Sequence, residues 1–265
     1  MAKVLNVLKQ NWPLYLIEAW CLGTFMLSAS VFGTLLFHPA SPATTLSFEL
    51  RNVLMGVAMG ATAIGIVRSP WGRRSGAHFN PSVTLTFLRL KKIAAVDAVM
   101  YIAAQFAGGI AGMLLSRLLL GDLLANGAVG FVATVPGSYG VAAALLAEVI
   151  ISFLMMSMIL FTSNSARTSR LTPYFAGTLL ALFIIFESHI SGTSLNPART
   201  FASATVGGIW NSWWLYFIGP PIAMLAAAEL FLRVKGFSNV RGLDPMHVPE
   251  IATSKDLSPT VVGLF

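Results

Sequence analysis

The chain has 265 residues, of which 56% are hydrophobic and 10% charged, where a soluble domain carries about 25% charged residues. That balance excludes an ordinary soluble domain and indicates a polytopic membrane protein. The net charge of +7 does not argue for nucleic acid, because the basic residues lie in short polar connections where the positive-inside rule accounts for them. The single cysteine, Cys21, sits in an apolar run and can form no intramolecular disulfide, so it says nothing of the redox compartment.

In chain order, residues Met1 to Pro13 form a polar lead, and a first span is expected over about Leu14–Phe37. No small-residue cleavage site follows, so this run reads as a retained helix rather than a signal peptide. A Pro/Ser/Thr-rich loop leads to a second span, about Arg51–Val67. The stretch Arg68–Lys92 is too polar at its start and too short in its apolar part to cross. It reads as a re-entrant loop and half-helix, which a membrane tolerates only where the backbone is buried in protein or lines a wet cavity. A third span follows at about Ala94–Leu119.

The pattern then repeats. A fourth span is expected at about Tyr139–Phe161, a fifth from Tyr174 to about Ile190, a short segment at Asn196–Val206, and a sixth span at about Trp213–Leu232. Each half holds an odd number of spans, so the second half is inverted relative to the first. The fold class is all-α: six transmembrane helices plus two re-entrant half-helices in an inverted repeat, filling residues 14–235 (repeat one about 14–119, repeat two about 139–232). With both termini cytoplasmic, all Lys and Arg fall inside except Arg51, Arg117 and Arg199, a strong bias. The tail, 236–265, is polar and aperiodic and is expected to be mobile.

Each short segment begins in the same way. Gly76-Ala77-His78-Phe79-Asn80-Pro81-Ser82 and Gly192-Thr193-Ser194-Leu195-Asn196-Pro197-Ala198-Arg199 share the order glycine, polar loop, Asn-Pro. Asn caps free backbone N–H groups and Pro suits the first helical position. Two such starts in inverted halves direct two helix N-termini, each with a partial positive charge, at one point.

These residues resemble the aquaporins, or major intrinsic proteins, over roughly Leu14 to Lys235. Tyr101-Ile102-Ala103-Ala104-Gln105 with Gly108-Gly109 resembles the third helix of that family, and Glu148 resembles the glutamate that steadies its second re-entrant loop. Two departures stand out. Ser82 replaces the usual Ala and is expected to add a hydroxyl beside the pore. In span one, aligning Gly23-Thr24-Phe25 puts Trp20 where the family has a supporting glutamate; either Glu18 takes that role through a local shift, or the first loop is held differently.

The resemblance implies a passive channel for water and small uncharged solutes, with ions and protons excluded. Asn80 and Asn196 would donate into the lumen while their carbonyls are held by their own half-helices, and His78 would support the first loop. The selectivity filter maps to Ala61, Ile184, Thr193 and Arg199, with Gly60 as the alternative to Ala61. Strict water channels have a bulky aromatic in span two and a His in span five, so Ala61 and Ile184 imply a wider, less polar opening. The set is similar to nodulin-type members that pass boric acid, while Thr200 stands where glycerol facilitators have Asp. A homotetramer in the plasma (inner) membrane, surrounded by lipid, is implied in the same way.

The remaining residues carry less. Glu187 and His189 read as a solvated vestibule, with a pH-responsive pair as the alternative; Gly108, Gly109 and Gly112 read as close helix packing. No paired carboxylates, metal-ligand cluster or nucleophile with a base occurs at useful spacing, so neither an enzyme nor a cofactor is expected. An inverted-repeat transporter would need an ion-coupling carboxylate at the midplane, and a closed structural protein of the same fold would show no permeability.

Overall fold

The computed structural model describes residues 2–235. Their regular structure is helical throughout: α1 (Ala2–Phe37), α2 (Phe48–Arg68), α3 (Pro70–Ser75), α4 (Pro81–Arg89), α5 (Ala95–Leu120), α6 (Asp122–Ala125), α7 (Gly140–Ser163), α8 (Thr172–Ser191), α9 (Pro197–Gly207) and α10 (Trp214–Lys235). Among the described residues, α1, α2, α5, α7, α8 and α10 are long and apolar enough to cross a membrane. At about 1.5 Å per residue, α4 and α9, with 9 and 11 residues, reach only half-way through a core of roughly 30 Å. The expected six spans and two half-helices are therefore present. The tail 236–265 lies outside the described residues.

Two local differences from the sequence reading have simple causes. Helix α1 begins at Ala2 and runs through Pro13, so the polar lead is continuous with the first span. The connection after α2 holds an additional short helix, α3: Ser69 caps it by accepting from Gly72 N–H, Pro70 occupies its first turn, and Gly76 ends it in the left-handed conformation. This is the usual chemistry of a helix start and stop.

Apolar faces gain little by leaving lipid for one another, so membrane helices pack through small residues that let backbones approach. Helix α1 lies on α5, where a Cβ on Gly108 would run into the backbone of Ala19 and one on Gly112 into that of Gly23. Helix α2 lies on α8 in the same manner, with Gly60 facing the Gly177 carbonyl. The main buried cluster draws on both halves, including Tyr15, Tyr101, Ile151, Met156, Leu195 and Phe231.

Candidate functional site

The two Asn-Pro segments meet. Asn80 Oδ1 accepts from Ser82 N–H at 2.8 Å, and Asn196 Oδ1 accepts from Ala198 and Arg199 N–H at 3.0 and 3.2 Å, so each carbonyl caps its own half-helix as the sequence implies. Each amide nitrogen then crosses to the opposite loop. Asn80 Nδ2 donates to Leu195 O and Asn196 Nδ2 to Phe79 O, both at 2.7 Å. One hydrogen of each amide is thus committed to the facing loop, and a primary amide carries a second.

The loops that carry these asparagines are strained and symmetric. Gly76, Ala77 and Phe79 have positive φ in the first, and Gly192, Thr193 and Leu195 in the second. A non-glycine residue held there costs about 1–3 kcal/mol, so something must hold it. In the second loop that is Glu148 of α7, which accepts from Ser191 Oγ (2.9 Å), Ser194 N–H (2.6 Å) and Leu195 N–H (2.8 Å).

The first loop is held by Glu18, which settles the alternatives left open by the sequence. It accepts from Ser75 Oγ (2.8 Å), His78 N–H (3.0 Å), Phe79 N–H (2.7 Å) and Gln105 Nε2 (2.8 Å). Trp20 points elsewhere and packs edge-to-face on Trp71, with ring centroids 5.0 Å apart. The two braces are completed alike: Tyr101 Oη donates to Ser75 O and Tyr216 Oη to Ser191 O. His78 is buried, with Nδ1 3.1 Å from Thr84 Oγ1 and its ring against Phe87 and Tyr101. Ser194 and Thr200 repeat that contact in the second half at 2.6 Å.

A model of the "Major intrinsic protein" family matches residues 10–231. The chain belongs to that family. It is 34% identical to Aquaporin-4 of Bos taurus over 182 residues, which is 68% of this chain and 55% of that protein. To the probable aquaporin AqpM of Archaeoglobus fulgidus it is 38% identical over 181 residues, 64% of this chain and 72% of that one. The chain thus spans little more than half the length of Aquaporin-4. A crystal structure of the aquaglyceroporin from Plasmodium falciparum superposes with a TM-score of 0.70 at 15% identity, covering 84% of this chain and 96% of that one, and so shares the fold. This member of the family is an integral membrane protein.

The other candidate residues differ in burial. The Ser82 side chain is wholly buried, and its hydroxyl has no hydrogen-bond partner among the described residues. Ala61 lies on the exposed strip of α2 with Leu54 and Val57, while Gly56, Met59, Gly60 and Ala63 form the buried strip. Ile184 is half-buried on α8. Thr193 is buried, and its hydroxyl donates to Glu187 Oε2 at 2.6 Å. Glu187 is therefore buried rather than solvated, while His189 is exposed and stands against the Tyr139 ring. Arg199 Nη1 is buried and has no hydrogen-bond partner among the described residues.

Sequence reasoning missed Ser75, Ser191 and Tyr216 as braces. The signal was there, because Ser-Gly precedes both loops at the same distance from Asn80 and Asn196.

Proposed function

We propose that the chain is a passive transmembrane channel, not an enzyme, for water and small uncharged solutes such as glycerol, urea, or boric and arsenous acids. The observation that carries this reading is the crosswise pair Asn80 Nδ2 to Leu195 O and Asn196 Nδ2 to Phe79 O. It supports two helix N-termini meeting at one level, each with an amide hydrogen to spare. A neutral solute exchanges hydrogen bonds with water for hydrogen bonds with these amides. A cation meets two positive helix ends and the Arg199 guanidinium and is turned back.

The filter is assigned to Arg199, Thr193 and Ile184, with α2 supplying the remaining side. Whether Ala61 or its neighbour Gly60 turns inward, α2 carries no aromatic residue after Phe48. The bulky ring of a strict water channel is absent from that wall, and this supports the wider solute range. Assembly as a homotetramer in the plasma (inner) membrane, with both termini cytoplasmic, belongs to the same proposal.

Proteoliposome swelling with water, glycerol, urea and boric acid tests it. The expected result is flux of water together with one or more of these solutes, without proton leak or saturation. Fast water flux with none of the solutes would remove the wide filter; saturable, proton-coupled uptake would favour a transporter.

A further inference from the structure

We propose that Glu187 is a positioning residue for selectivity: it accepts a hydrogen bond from the Thr193 hydroxyl and so fixes that oxygen as an acceptor on the filter opposite the donor-only guanidinium of Arg199. This rests on the filter reading above, and it names the solutes that benefit. They are neutral molecules with several hydroxyl groups, which can donate to Thr193 and accept from Arg199 at once.

The geometry sets the direction of the hydroxyl proton. Thr193 Oγ1 lies 2.6 Å from Glu187 Oε2 and 3.5 Å from the Phe183 carbonyl, so the carboxylate holds it. A hydroxyl has one hydrogen and two lone pairs; with the hydrogen engaged, Thr193 can only accept from a solute. Arg199 has five N–H donors and no acceptor. One wall therefore donates and the other accepts.

A purely structural role for Glu187 is the competing explanation, and the inverted repeat argues against it. In both loops the serine before the glycine accepts the next N–H: Ser191 Oγ from Thr193 N–H and Ser75 Oγ from Ala77 N–H, each at 3.1 Å. Both loops have their glutamate and tyrosine braces. At the position of Thr193 the first loop has Ala77, with no hydroxyl to anchor, and it keeps the same left-handed turn. A loop of this shape stands without the extra carboxylate.

Glu187 is also costly where it is. An ionisable group inside a membrane protein is expensive and marks function more often than packing. Glu187 is 8% exposed; Thr193 is its close hydrogen-bond partner, through Oε2, and Ser191 lies beside it.

The experiment compares the glycerol-to-water permeability ratio in proteoliposomes for the parent, Glu187→Met, Glu187→Gln, Thr193→Val and Glu187→Met/Thr193→Val. Removing the acceptor in Glu187→Met frees the hydroxyl proton, and the ratio should fall roughly fivefold, the size of one lost hydrogen bond. Glu187→Gln keeps a carbonyl for Thr193 and should stay within about twofold of the parent. Thr193→Val should lower the ratio as much as Glu187→Met, and the double variant no further than either. A brace would instead lower both permeabilities together and leave the ratio alone. If Thr193→Val lowers the ratio and Glu187→Met does not, or the two effects add, the positioning role is wrong and the filter stands. If Thr193→Val leaves the ratio unchanged, the filter assignment falls and takes this role with it. Should Glu187→Met not fold, Glu187→Ala, which adds no bulk, reads the same ratio with the same criteria.

Discussion

Replacing Glu18 by glutamine tests the structure at the point where sequence alignment alone pointed at Trp20. Two donors converge on each carboxylate oxygen: Ser75 Oγ and His78 N–H on Oε1, Phe79 N–H and Gln105 Nε2 on Oε2. An amide can serve only one of these pairs. The Ser75 hydroxyl can rotate and the Gln105 amide can flip, but a backbone N–H cannot, so His78 or Phe79 is left unsatisfied in either orientation. That costs about 1–3 kcal/mol, and replacing charged by neutral hydrogen bonds at the other oxygen adds about 1 kcal/mol per bond. The total, roughly 3–5 kcal/mol, is comparable to the strain of holding Ala77 and Phe79 at positive φ, about 2–6 kcal/mol for the two. The loop should relax and carry Phe79 O away from the Asn196 amide.

Stopped-flow water permeability, normalised to reconstituted protein, should drop at least about tenfold for Glu18→Gln, since 1.4 kcal/mol is a factor of ten. Thermal unfolding in detergent should move down in parallel, while Trp20→Phe, which keeps an aromatic face for Trp71, should stay near the parent in both measurements. Parent-like flux and melting temperature for Glu18→Gln, or equal damage from Trp20→Phe, would refute the reasoning.

Three shorter predictions follow from packing and exposure. Gly112→Val would drive a side chain into the Gly23 backbone and should prevent recovery of folded protein, or lower its melting temperature by at least several degrees; Gly65→Ala on α2, with open space at that position, is the tolerated control on size-exclusion chromatography. Mercurials should inhibit poorly, because Cys21 is the one cysteine and is fully buried; rapid block abolished by Cys21→Ser would show that it is reachable. The ion pair between Arg89 on α4 and Glu229 on α10, at 2.6 Å, joins side chains that are 40% and 44% exposed, so a double-mutant cycle on unfolding should give no more than about 1 kcal/mol.

The amino-acid pattern determined the architecture because a bilayer allows few answers. Apolar runs long enough to cross, two runs too short to do so, and an odd number of spans per half leave an inverted repeat with two half-helices. The caps were legible as well, because Asn-Pro sets a helix start by local chemistry alone, and the structure places Asn80 and Asn196 at those starts. Only the tertiary structure decided what crosses between elements. Whether Glu18 or Trp20 faced the first loop turned on a rotation of α1 that periodicity does not fix when nearly every residue is apolar. The burial of Ser82 and the exposure of Ala61 were not legible for the same reason: in a membrane helix the faces toward lipid, toward a neighbour and toward a passage have similar composition. Glu187 shows the converse, since a carboxylate near a helix end looks solvated in one dimension, and only folding the second loop back onto α8 brings the Thr193 hydroxyl within 2.6 Å of it.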